Sequence, residues 1–395
     1  MGTLRTFNLA VSIINKLDGG RGRKWRNRVF FLLPSAFLIL VILTSTIFLK
    51  LPDGPLPPDE DGKDVIPRPY VQGKNIILNN STFEITAVYK FKSLSYYIDP
   101  THWIDESNDT YDLLSSTKIN TVVLALNKWE WINNINYKPA IDKIINKIKT
   151  HGLFVILNYH ANYDPTTATD YGTWTNLEEW KSFMVDLATR YKNETTVIGI
   201  DIFDESHNID IVTWKSSNLA IIDAIHEVEP SYIIFVGNCP RTSMVGFGAP
   251  YPRKNIVYGI QHYSGYDLTG GNRSYADLYN NAATESAFNA AYRSMTTFYR
   301  EVILDYSIRY DVPVIETGTS ICKRAYNVAG YPVFNNSFRQ FTDQVKILHS
   351  LGIGSCYFAA DRDFPTEKFW SLLDQRDPSA WSQGGLIYLE ALNNR

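Results

Sequence analysis

Two glutamates in this 395-residue chain end apolar runs: Glu205 closes GIDIFDES (199–206) and Glu316 closes VPVIETG (312–318). Each run reads as a buried strand. Paired carboxyl groups are what glycoside hydrolysis needs. One protonates the departing oxygen, and the other attacks the anomeric carbon or activates water. A parallel barrel gathers its chemistry at the C-terminal ends of its strands, which is where both acids fall. Strand neighbours point to opposite faces, so Asp204 and Glu205 divide their roles. Glu205 is expected to be the general acid/base, with Asp204 a polar partner to it or to the substrate. Glu316 has to stay ionised to attack, which calls for donors such as the Tyr263 hydroxyl. Glu205 has to carry a proton, which calls for a drier site or a second carboxylate nearby.

Other strand ends supply candidates for holding a sugar. Trp129, in the stretch Asn127-Lys128-Trp129-Glu130-Trp131, offers a ring for stacking, as does Trp131. His160 follows the third run, His262 and Tyr263 follow the sixth, and Trp370 lies beyond the last. The polar cluster Asp361-Arg362-Asp363 reads instead as mutually paired structure.

The elements that must position these residues alternate strand with helix. Near-continuous apolar runs occupy 83–89, 121–126, 154–159, 197–203, 232–236, 256–260, 312–315 and 354–358. Such runs fit parallel strands covered on both faces. Amphipathic stretches at 140–150, 177–191, 211–228, 285–310 and 338–351 predict helices between them. Eight such runs with helical stretches between them indicate a (β/α)8 TIM barrel. A doubly wound open sheet is the alternative, but no glycine-rich phosphate loop follows Tyr89. Residues 70–84 read as an antiparallel pair closed at Asn79-Asn80.

With those segments in view, residues 70 to 385 resemble the glycoside hydrolase family 5 barrels, the cellulase and mannanase-like group of the retaining clan. GIDIFDES resembles the family's strand-four segment, which implies the acid/base role for Glu205. VPVIETG resembles its strand-seven segment, which implies the nucleophile role for Glu316. VILNYHAN matches the strand-three histidine at His160, and NIVYGIQHY puts Tyr263 at the strand-six tyrosine. Four positions depart from the family pattern. Asp204 replaces an asparagine, Gln261 stands where a histidine is expected with His262 one residue late, and Val123 replaces an arginine. Phe358 and Ala359 stand where a tryptophan is expected. The resemblance implies a retaining β-glycoside hydrolase acting on an oligo- or polysaccharide. A barrel that binds glycan without turnover, or a transglycosylase, is the alternative. A barrel lyase or aldolase would want a strand-end lysine or a metal cluster.

Composition limits the remaining classes. A net charge of −3 argues against nucleic acid, which needs a concentrated basic face. Cys239, Cys322 and Cys356 are isolated, which argues against a zinc site, and no His/Asp/Glu cluster has ligand spacing, so no metal is implied and no cofactor is expected. The 25 Tyr, 20 Phe and 9 Trp suit sugar stacking and a large core equally.

The amino-terminal stretch carries an address. Val29 to Leu49 is an uncharged apolar run of bilayer-spanning length, preceded by Lys16, Arg21, Arg23, Lys24, Arg26 and Arg28. That charge asymmetry predicts a cytoplasmic tail over 1–28 and a signal anchor in the lipid bilayer over 29–49. A Pro/Gly/Asp-rich linker over 50–69 and a catalytic domain over 70–395 follow. The expectation is a single-pass type II membrane protein with its catalytic domain extracellular or luminal. A cleaved signal peptide is the rival, but Phe48-Leu49-Lys50-Leu51 makes a poor cleavage site. Acceptor triplets for N-glycosylation at Asn79, Asn80, Asn108, Asn193, Asn272 and Asn335 agree with translocation.

Overall fold

The computed structural model describes residues 67–90, 108–161, 176–203, 209–237, 247–261, 278–279, 281–319, 336–358, 381 and 383–393. All belong to the second of the two units into which the chain divides, Val65–Arg395. The tail, anchor and most of the linker expected over 1–66 lie outside the described residues. Among the described residues no helix is long and apolar enough to cross a membrane.

The described chain opens with a small antiparallel sheet, β1 (Tyr70–Gln72), β2 (Asn75–Leu78) and β3 (Ser81–Thr82). Gly73 turns the first pair at φ 56°, and Asn79 and Asn80 turn the second at 52° and 61°. These are left-handed conformations that Gly and Asn adopt most readily. The expected pair is therefore a three-stranded sheet, and Phe83 belongs to it, donating its backbone N–H to the Ile76 carbonyl. Val71, Ile76 and Phe83 pack against the inner barrel core.

Arg68 fastens this segment to the barrel. Its guanidinium donates to the carbonyls of Val197, Tyr191, Lys192 and Glu194 and to the Ser231 hydroxyl, at 2.7–3.1 Å. It also pairs with Glu229 at 3.3 Å and lies over the Tyr232 ring.

Eight parallel strands then close a barrel: β4 (Thr86–Lys90), β5 (Thr121–Asn127), β6 (Phe154–Ala161), β7 (Val197–Asp201), β8 (Ile233–Gly237), β9 (Ile256–Gln261), β10 (Val314–Thr319) and β11 (Gly354–Tyr357). Each pairs with the next, and β11 returns to β4. The continuous apolar runs follow from burial of both faces. Ala87, Tyr89, Val123, Ile156, Phe235, Ile315 and Cys356 belong to the inner core. Val88, Val122, Leu124, Leu157, Ile234 and Tyr258 turn outward, under the helices.

The helices are α1 (Asn108–Ser115), α2 (Lys128–Asn133), α3 (Tyr137–Thr150), α4 (Leu177–Tyr191), α5 (Ile211–Val228), α6 (Glu285–Phe298), α7 (Asp305–Tyr310), α8 (Ser337–Ser350) and α9 (Gln383–Asn393). Side chains of Asn176, Asp210 and Thr284 accept from the first-turn N–H groups of α4, α5 and α6, which fixes those starts. The single helix expected over 285–310 is interrupted by a π-helical turn at Tyr299–Leu304. Among the described residues no helix joins β8 to β9. Rings of Phe247, Tyr251, Tyr258 and Tyr306 pack together there, at centroid distances of 5.4–6.3 Å. Between α4 and α5, Trp180 and Trp214 stack at 5.5 Å, and their indole N–H groups donate to the Ile202 and Gly237 carbonyls.

Candidate active site

The lumen narrows to a small cavity lined by Ala87, Tyr89, Val123, Ile156, Asp201, Phe235, Ile315, Thr317 and Cys356. Residues nearer the C-terminal strand ends form the floor of the mouth. On β6, Asn158 and His160 share the face of Ile156 by strand alternation. Asn158 is fully buried, and its Oδ1 lies 3.2 Å from His160 Nδ1. The His160 ring lies against Phe358 and meets Tyr89 edge-on. Val123, at the position of the expected arginine, is an apolar part of the wall.

Asp201 is a carboxyl group that sequence reasoning passed over. It is 2% exposed, ends β7 and lines the lumen. Its signal was an acid interrupting the apolar run Gly199–Phe203. The described chain continues to Phe203, two residues before Glu205. Asp204, Glu205, His262, Tyr263 and Trp370 lie outside the described residues. Among the described residues, Asn158 of β6, the neighbour of His160, stands beside Asp201 of β7 in the barrel register.

Trp129 sits half-buried on α2, directly after β5, where the Asn127 side chain caps its backbone N–H. Trp131, weighed as a second platform, belongs to the core instead. It is 2% exposed and donates its indole N–H to Asp186 at 2.7 Å. Glu130 is buried beside them, and burial raises its carboxyl above the usual range despite the Asn134 amide donating to it.

Glu316 is enclosed in a way the sequence did not indicate. Its neighbours Ile315 and Thr317 both line the lumen. The Glu316 side chain takes the opposite face, between strand and helices, and is 0% exposed. There Oε2 accepts from the Tyr299 hydroxyl at 3.2 Å, and Tyr299 in turn accepts from the Gln344 amide of α8 at 2.9 Å. In this conformation the carboxyl lies on the helix-facing side of β10, against Tyr299. The donor comes from Tyr299, on the helix layer, a residue no strand-end pattern could single out.

The sequence profile described as Cellulase (glycosyl hydrolase family 5) matches residues 84–305, more than half of the chain. The chain belongs to glycosyl hydrolase family 5. The family 5 match runs from the entrance of β4 to the end of the π turn, so it includes Glu205 and stops before β10. Solved structures agree in fold. A β-glucanase from Saccharophagus degradans, solved with cellotetraose, superposes with a TM-score of 0.64 at 18% identity, covering 87% of this chain and 98% of that one. An endocellulase from Pyrococcus horikoshii, also in complex with cellotetraose, gives 0.59 at 16%, covering 84% and 99%. The catalytic domain of a Thermobifida fusca endoglucanase gives 0.56 at 15%, covering 83% and 98%. Among curated protein sequences none matches. This family 5 chain thus carries a cellulase-like hydrolase fold, in which Val123 and Phe358 are buried apolar residues of the inner core.

Proposed function

We propose that this protein is a membrane-anchored retaining β-glycoside hydrolase acting on a β-linked oligo- or polysaccharide. The observation that carries this reading is the family match across residues 84–305, on a closed barrel whose strands β7 and β10, the fourth and seventh of the eight, border one lumen. In the proposed reaction Glu316 attacks the anomeric carbon while Glu205 protonates the departing oxygen. Glu205 then deprotonates the incoming water, or a sugar hydroxyl if transfer competes. Retention requires the two carboxyl groups about 5–5.5 Å apart. His160, Asp204, His262, Tyr263, Trp129 and Trp370 would hold the sugar. Residues 29–49 would anchor the chain in a bilayer, leaving the barrel extracellular or luminal.

A second reading is a glycan-binding barrel without turnover. The enclosure of Glu316 on the helix side favours it, because a nucleophile has to meet its substrate. The two separate by assay on a panel of β-glucans, β-mannans and aryl β-glycosides. The hydrolase reading expects the wild type to turn over at least one member with retained anomeric configuration. Glu205→Gln and Glu316→Gln would each lower kcat by about a hundredfold or more. Equal binding with no turnover in all three proteins would establish the second reading, and an inverted product would exclude double displacement. For the anchor, membrane association that survives deletion of residues 1–49 would count against it.

A further inference from the structure

Strand β10 changes step where the nucleophile is expected. Val314, Ile315 and Glu316 pair in order with Tyr258, Gly259 and Ile260 of β9, but Gly318 then pairs with Gln261, leaving Thr317 as an extra residue. The other neighbour shows the same offset, with Glu316 beside Ser355 and Thr319 beside Tyr357. A bulge of this kind decides which face each residue before it takes. With the extra residue after Glu316, the carboxyl shares the helix-facing side with Ile260 and Ser355. With the extra residue at Ile315 instead, Glu316 would sit opposite Gly259 on the lumen side and Thr317 would turn outward. Val314, and everything from Gly318 onward, would keep its partner.

Two further observations bear on that alternative. The two elements that carry Glu316 and Gln344 each hold a buried polar atom left unpaired. Thr319 Oγ1 on β10 and Gln340 Oε1, one turn before Gln344 on α8, are buried with no hydrogen-bond partner. Buried polar atoms left unpaired are costly and rare. The phenol that holds Glu316 also begins the π turn, and π turns concentrate at functional sites. On the lumen side Gly259 carries no side chain, so the space over it, now filled by the Thr317 methyl, is open to exchange.

We propose that β10 has two registers, and that the observed one stores the Glu316 carboxyl away from the mouth through its hydrogen bond to Tyr299. Moving the extra residue from Thr317 to Ile315 exchanges the faces of Glu316 and Thr317 and delivers the carboxylate to the lumen, near Asp201. This rests on Glu316 being the nucleophile. A glycan in the mouth favours the delivering register only to the extent that it binds that register better.

The test uses the full chain and 2-deoxy-2-fluoro-β-cellobiosyl fluoride. A Glu316 carboxylate oxygen bonds to the anomeric carbon as fluoride leaves, and the tagged residue is located by peptide mass spectrometry. Tyr299→Phe removes the storing donor, and Thr317→Val removes the 2.8 Å bond from the Thr317 hydroxyl to the Ile260 carbonyl that pins the observed register. Each is expected to speed tagging of Glu316 about two- to tenfold, the shift that losing one net hydrogen bond gives, with kcat/KM rising in step. Tagging of Glu316 at an equal or lower rate in both variants would overturn the two-register proposal while keeping the nucleophile. A tag on another carboxylate, or none in any protein, would overturn the nucleophile reading and this proposal with it. Should the variants misfold, amide hydrogen exchange of the wild type reads the same switch. Cellotetraose is expected to alter protection at Ile315–Thr319, and unchanged protection there at saturating binding would overturn it.

Discussion

The imidazole of His160 and the ring of Phe358 lie 6.0 Å apart between centroids, with planes only 17° from parallel. Tyr89 meets both edge-on, at 6.1 and 5.2 Å. A phenylalanine at the end of the eighth barrel strand therefore positions the strand-three histidine by packing. Phe358→Ala should destabilise the barrel by about 3 kcal/mol or more, since the ring is 5% exposed and leaves a cavity. Urea unfolding checks this. Loss of sugar affinity in the same variant would show that His160 depends on the ring for its orientation.

Arg68 is expected to behave as part of the barrel, although it lies in what the sequence reads as linker. Its side chain is 6% exposed and its carbonyl partners stay behind when it is removed. Arg68→Ala should cost about 3 kcal/mol by chemical denaturation. Arg68→Lys should recover little, because an ammonium cannot reproduce the planar fork that reaches Val197, Tyr191 and Ser231 together.

Gly259 is required by its neighbour. A Cβ there would lie 2.5 Å from Thr317 Cγ2. Gly259→Ala should therefore cost about 1–3 kcal/mol by overpacking. Thr317→Ser removes the clashing methyl and keeps the hydroxyl, so the double variant should recover much of the loss. A double-mutant cycle by urea unfolding measures the coupling, and additive costs would rule out the contact.

Two groups should give stability opposite slopes against pH. Burial raises the Glu130 carboxyl, so the folded state holds its proton more tightly than the unfolded chain. Its contribution is full below the ordinary value of 4.5 and is lost as pH rises through the folded one. Glu130→Gln should then stabilise the protein at neutral pH and change little at pH near 4. Burial lowers His226, against an opposing contact from the Tyr232 carbonyl. Its contribution is full above the ordinary value of 6.5 and is lost as pH falls through the folded one. His226→Gln should flatten the acid side of the stability profile measured by thermal unfolding.

The barrel was legible because its signal is repeated. Runs such as Thr121–Leu126 and Ile256–Ile260 are buried on both faces, so every residue in them is apolar or small. Helices α4 and α5 were legible from their amphipathic pattern, and Asn176 and Asp210 fix their starts by accepting from first-turn N–H groups. The facing of Glu316 was not legible. One extra residue in β10 decides it, and nothing in the letters VPVIETG separates a bulge before the glutamate from one after it. Tyr299 was hidden for a related reason. The one-residue insertion of a π turn re-aims side chains within a stretch whose periodicity still reads as continuous helix. Asp201 sits inside an apolar run three residues before the acidic pair at 204–205, and only the closed barrel shows that its side of β7 faces the lumen.

The stacked indoles of Trp180 and Trp214, 5.5 Å apart and 12° from parallel, have an optical consequence. Two chromophores at that spacing couple their transitions, which splits the circular dichroism of the indole band into a bisignate couplet. Their N–H groups grip the Ile202 and Gly237 carbonyls beside the strand ends. The protein thus has a built-in spectroscopic reporter of how its fourth and fifth barrel strands terminate, readable without label or substrate.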